Sequence, residues 1–414
     1  MNPFNELPKN TKIIYESPKA LNPKPYDKKA ASAYTKARLI LANGTEFEAV
    51  RFLHEINRHS LNNELRRVAA EIRRQEQQQQ KRLSALKPIN ETILETTIAY
   101  EQLAVDLTAD LATREKNPFV KAQLDFALLE DFDHLYRYAN LMDTEYGEKA
   151  DKLVGYYTEI TPGRPTVSEH RHPNDDIRRY INCWQDDLTT RLNTMIITAA
   201  EQQTMNYYMN VGNIYPSETG RKLYSEIAMI EEQHVSGYGS LLDPSCTCLE
   251  SWVMHEYTEC YIYFSLVNTE TDGDIKRIYE LHLEQEINHL KVASDMLYKY
   301  EGREWEQLFK YGSEFPDIVK LHENKEYVRE VMKRVRNTAV NTKIEDINSL
   351  SDGADFFRYQ RQATDVKNMA SHNVIEEHIK KFGEDYRYED KQSTERTLRD
   401  RKADNTELGR IKGA

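Results

Sequence analysis

Glycine and proline are scarce in this chain, at 15 and 13 of 414 residues. A fold of many short strands needs more turn residues than that, so long helices are expected. Cysteine is scarcer still: Cys183, Cys246, Cys248 and Cys260. They form no CxxC pair and no disulfide framework, which points to a reducing, cytoplasmic compartment. Cys246-Thr247-Cys248 reads as an incidental loop pair rather than a metal or redox motif. No apolar run is long enough to span a bilayer and no secretory leader is recognisable, so no membrane is expected among the partners. Positive charge is not in excess. The net charge of −12 argues against a general nucleic-acid binder. A glycine-rich phosphate loop following a strand is also missing.

What is present is 39% apolar and 30% charged residues, the balance of a globular protein with an extensive charged surface. The length allows roughly two to three domains. Residues 1–45, with scattered Pro and Lys, read as an extended or poorly ordered arm. Residues 46–88 read as one long charged helix, solvated and packed at one end, which could also serve homo-oligomer contacts. Residues 89–302 read as a helical bundle, 303–364 as accessory helices, and 365–414 as a charged, partly mobile tail. Within the bundle, six helices are expected at roughly 91–115, 118–147, 176–211, 217–242, 249–269 and 274–300. Asn117-Pro118 supplies a cap followed by proline at the first helical position.

Four histidines have an acid three positions earlier: Asp131/His134, Glu169/His172, Glu231/His234 and Glu286/His289. The pair alone is common by chance in so acidic a chain. Glu169/His172 falls in the proline-rich connector and is set aside. Each remaining pair has a Glu thirty residues before its acid: Glu101, Glu201 and Glu256 respectively. The chain thus carries three copies of a helical hairpin, with one Glu on the first helix and an acid-x-x-His on the second.

Helical rotation of about 100° per residue puts these groups on apolar faces. Glu286 and His289 fall among Ile275, Leu290, Ala293 and Leu297. Glu231 and His234 fall among Leu223, Ile227 and Ile230, and Glu256 among Trp252, Val253 and Cys260. Glu101 lies among Ile98, Ala104 and Val105. Glu201 sits on a more polar helix, and Asp131 and His134 lie to one side of theirs, with Glu130 and Asp133 as substitutes. An unpaired carboxylate in an apolar core costs several kcal/mol even after relaxation. No Arg or Lys adjoins the acids on the last three helices. A pair of divalent cations would compensate the charge and also account for the imidazoles. Carboxylate and imidazole donors without thiolates suit iron or manganese.

A Glu on two helices and a Glu-x-x-His on each of two others is the ligand set of ferritin-like di-iron and di-manganese proteins. Over about residues 90–300 the sequence resembles that superfamily, most closely at Leu283–Leu290 and Ile230–His234. The resemblance implies an all-α, ferritin-like bundle, enlarged here to about six core helices. It also implies two iron ions, alternatively manganese, held by four carboxylates and two imidazoles. The metal ligands would come from Glu201, Glu231, His234, Glu256, Glu286, His289, Glu101, Asp131 and His134. Topology favours pairing the first two copies and ligand chemistry the last two, so both pairings, or two sites, stay open. The implied activity is an oxidoreductase acting on dioxygen or peroxide. Iron storage without turnover, or a helical scaffold with a structural or vestigial site, are the alternatives. Tyr100, Tyr207, Tyr208, Tyr257 and Tyr263 lie near the site residues and read chiefly as aromatic core.

Overall fold

A computed structural model describes residues 1–160, 164, 166–363 and 368–383. The fold is all-α. Among the described residues the helices are α1 (Ala33–His59), α2 (Asn63–Ala85), α3 (Ile93–Arg114), α4 (Pro118–Tyr146), α5 (Leu188–Val211), α6 (Glu218–Gly239), α7 (Cys248–Thr269), α8 (Gly273–Glu301), α9 (Lys325–Met332), α10 (Asp355–Ala363) and α11 (Ala370–Phe382). One antiparallel hairpin, β1 (Asn337–Val340) with β2 (Lys343–Asp346), is the only sheet among them. No described helix is long and apolar enough to cross a membrane.

Local chemistry sets the helix ends. Thr92 and Thr247 open α3 and α7 with reciprocal capping boxes to Glu95 and Glu250. Asn117 caps α4 and Pro118 takes its first position, as the sequence predicts. Gly147 and Gly302 close α4 and α8 in the left-handed conformation, at φ +66° and +64°.

The chain divides into two units. The first comprises Met1–Glu91, Tyr180–Gln203 and Leu242–Lys320. Its core is two helical hairpins, α1–α2 and α7–α8, packed through Ala49, Leu53, Ile72, Trp252, Leu290 and Ala293, all buried. The second unit comprises Thr92–Arg179, Thr204–Leu241 and the chain from Leu321 onward. There the α3–α4 hairpin packs with α6, α9 and α11 around Ile98, Val105, Leu124, Leu128, Leu223 and Ile227. Helix α5 gives residues 188–203 to the first unit and 204–211 to the second.

Several boundaries differ from the sequence reading. The stretch 46–88 is not one solvated helix. The chain turns at Ser60-Leu61-Asn62, and Asn62 restarts it by accepting from the Glu64 and Leu65 backbone N–H groups. Both resulting helices bury a face. The arm is extended up to residue 32 but anchored: Phe4 is buried and stacks 3.7 Å from the Trp305 ring. Helix α5 begins at Leu188 rather than near 176, because Asp187 accepts from the Thr190 N–H and caps it there. In the expected accessory region, α9 is followed by the β-hairpin, which turns at Asn341 with φ +54°. Most of the expected charged tail, 384–414 with 365–367, lies outside the described residues. Helix α11 within it packs on the second unit, where His378 Nε2 lies 2.9 Å from Asp143 Oδ2.

Candidate metal centres

In the second unit, α3, α4 and α6 bring Glu101, Asp131, His134, Glu231 and His234 together, each about fully buried. Two overlapping donor groups result. Glu101, His134 and Glu231 form one; Asp131, Glu231 and His234 belong to the other. Within each, one donor atom per residue lies within 4.8 Å of the rest. Glu231 is common to both. His134 Nδ1 is 2.9 Å from Glu231 Oε1. His234 Nδ1 is 3.1 Å from Asp131 Oδ1 and 3.4 Å from Glu231 Oε2.

The far nitrogen of each imidazole is held from outside. His134 Nε2 meets Glu169 Oε2 at 3.2 Å, and His234 Nε2 meets Glu130 Oε2 at 2.8 Å. Such carboxylate–histidine contacts fix tautomer and ring orientation so that the other nitrogen faces a cation. Arg171 pairs with Glu130 and, at 3.0 Å, with Asp176. The connector set aside in the sequence reading therefore supplies Glu169 and Arg171 to this site. His172 is not part of it and instead caps a short turn, accepting from the Asn174 N–H. Glu130 and Asp133 do not replace Asp131. Glu130 orients His234, and Asp133 pairs with Arg137.

The first unit builds a second cluster from α2, α7 and α8. Glu76, Glu256, Glu286 and His289 each place a donor atom within 4.8 Å of the others, all buried. His289 Nδ1 lies 2.6 Å from Glu76 Oε1, 3.0 Å from Glu286 Oε2 and 3.8 Å from Glu256 Oε2. Its Nε2 is 2.8 Å from Gln75 Oε1. Gln79 donates to Glu286 Oε1, and Trp252 Nε1 donates to Glu256 Oε1. On α1, buried Glu46 accepts from the Tyr263 hydroxyl, as Glu101 does from Tyr208 at 2.6 Å in the other unit.

Burial and the acids facing one another shape the electrostatics of both clusters. Burial first, then Glu76 and Glu286, pushes Glu46 well above the usual carboxylate range. Burial and neighbouring acids likewise raise Glu76, Glu256 and Glu259. Burial alone would lower His289, but Glu76 and Glu286 outweigh it and raise it well above normal. In the second unit burial raises Glu101 and Asp131. Glu231 is held low, because hydrogen bonds from His134 and His234 outweigh its burial. Glu130 falls to about 2, as Arg171 and the hydrogen bond from His234 outweigh burial, and Glu169 rises to about 8 through burial and Asp133.

Of the sequence-predicted ligands, Glu101, Asp131, His134, Glu231 and His234 meet in the second unit, and Glu256, Glu286 and His289 in the first. Glu201 is buried on α5, near the end of the stretch belonging to the first unit. Sequence reasoning missed Glu46 and Glu76. They stand thirty residues apart like the other copies, but Gln79 occupies the place of the histidine on which the motif depends. It also missed that Cys246 meets Cys183, not Cys248. Their sulfurs are 2.6 Å apart beside Asp243, a fourth donor group.

Of the five tyrosines, Tyr208 and Tyr263 touch the clusters. Tyr100 stacks on Tyr207 at 4.3 Å, and Tyr257 packs 4.6 Å from Phe309. No known protein family, curated protein or solved structure matches the chain.

Proposed function

We propose that the protein is a ferritin-like metal-dependent oxidoreductase acting on dioxygen or peroxide, with a dinuclear centre in its second unit and a further metal position in its first. The observation that carries this reading is the pair of donor groups sharing Glu231, each completed by an imidazole whose outer nitrogen is already held by a carboxylate. The donor chemistry fits hard or borderline divalent cations, iron first and manganese as the alternative. Glu101 Oε2 and Asp131 Oδ2 are buried without a hydrogen-bond partner among the described residues. As bare carboxylates they would cost several kcal/mol, which bound cations would offset. The hairpin repeat in the sequence adds Glu201 as a further expected ligand.

A pair of iron ions would supply binding and two-electron reduction of dioxygen or peroxide. The chain's own residues do the rest. Glu101, Asp131, His134, Glu231 and His234 would hold the pair. Glu130, locked by Arg171, and Glu169 keep the imidazoles turned inward. Tyr208 keeps Glu101 in place, and the buried helix faces exclude water. The thiol-poor composition supports a reducing, cytoplasmic setting.

Ferrous loading under anaerobic conditions, followed by exposure to dioxygen or peroxide, tests the activity. Expected is stoichiometric oxidant consumption with a coloured oxidised form, lost in Glu231→Ala/His234→Ala. Metal that binds without consuming either oxidant would replace this reading with iron binding or a structural site.

A further inference from the structure

We propose that the first unit holds a binding chamber for a small, largely apolar molecule whose single polar group donates a hydrogen bond to Glu259. A cavity of about 290 Å³ lies among α1, α5 and α7, with Phe52, Ile181, Met195, Met254 and Ile262 in its wall. Glu259 and His255 also line it. Glu259 is 1% exposed, and neither carboxylate oxygen has a hydrogen-bond partner among the described residues. His255 Nε2 approaches Oε2 only to 3.6 Å, beyond a hydrogen bond, and has no hydrogen-bond partner among the described residues. Leaving such a buried group unsatisfied is costly, because its desolvation is not repaid. A ligand that donates to it recovers that cost, while the apolar wall takes up the remainder of the molecule.

Glu259 lies one helical turn beyond Glu256, so the ligand's polar end would sit beside the first unit's cluster. Arg51 and Arg191 also line the cavity, but Arg51 is paired with Glu48 and Arg191 donates to the Leu308 carbonyl, whereas Glu259 itself faces the acids Glu46, Glu76, Glu256 and Glu286, which disfavour an anionic head against it. The class is thus a neutral hydroxyl compound rather than a carboxylic acid. That the bound molecule is this centre's substrate rests on the metal reading above; its binding does not.

Calorimetric titration of the full-length protein, as purified and after metal loading, with phenol, anisole and benzoate tests the chamber. Phenol should bind saturably. Anisole, of nearly the same shape but without the donor, should bind about tenfold more weakly, the effect of about 1.4 kcal/mol for one hydrogen bond. Benzoate should not bind. Glu259→Leu keeps the volume and should erase the preference for phenol over anisole, and Met195→Trp should abolish binding of both. Absence of saturable phenol binding, equal affinities in the unaltered protein, or a preference that survives Glu259→Leu would overturn the proposal. Phenol binding in protein that takes up no metal would leave the chamber standing and remove only its link to a centre.

Discussion

Each imidazole of the two clusters turns Nδ1 toward carboxylates and rests Nε2 on an outer partner: Glu169 for His134, Glu130 for His234, Gln75 for His289. Outer partners of this kind tune metal affinity by about 10–100-fold. Gln75→Leu should therefore weaken metal binding in the first unit by that order, read by chelator competition, and leave the second unit unchanged. A loss in both units would contradict the assignment. Gln79 explains why one hairpin escaped notice. It stands where the other copies carry histidine, and it donates to Glu286. A search keyed on His passes over it, although the thirty-residue step from Glu46 to Glu76 is present in the sequence. Gln79→His should add an imidazole and raise the metal held by the first unit; unchanged metal content would refute the equivalence of the hairpins. Glu169 and Arg171 were illegible for another reason. They lie on a connector without periodicity, and only tertiary contact brings them to His134 and Glu130.

Helix identity was the most readable level. Helices α3, α4, α6, α7 and α8 lie within a few residues of their expected spans, because each couples an apolar stripe to a recognisable cap or stop. The failures lie where a polar residue ends a pattern locally. Asn62 splits the charged stretch into two helices, and Asp187 delays the start of α5. The pairing of hairpins was not readable either. Apolar faces say that a helix is buried, not against which partner, so α1–α2 with α7–α8 emerges only from the folded chain. The caps carry measurable weight. Thr247→Ala removes the capping box of α7, the helix that bears Glu256, and should cost about 1 kcal/mol. Gly302→Ala places a side chain at φ +64° and should cost about 1 kcal/mol or more. Denaturant midpoints check both, and no shift in either would show that tertiary packing alone sets these ends.

Across the whole molecule, the proposed metal ions would compete with protons for the same buried acids. Burial raises Glu46, Glu76, Glu256, Glu259, Glu101 and Asp131, so the metal-free folded chain binds more protons than the unfolded one. Its stability should then fall as pH rises from the ordinary carboxylate value of about 4.3. His134 and His289 act in the same direction. Burial alone would lower them, but the carboxylates facing them raise them, so their contribution is full below about 6.5 and fades through their folded values. Glu231 and Glu130 oppose this only as pH falls toward their low folded values, and His170, His255 and His282, lowered by burial, oppose it up to about pH 6.5 and not above. The thermal midpoint of metal-free protein should drop between about pH 5 and pH 8, and metal loading should flatten the slope; a metal-free midpoint that rises over that range would contradict the balance of charges. The most direct test is the metal content per chain after expression with iron or manganese, measured by plasma mass spectrometry. The account predicts about three ions, two lost in Glu231→Ala/His234→Ala and one in Glu286→Ala/His289→Ala. A chain that takes up no metal under either supplement would contradict it.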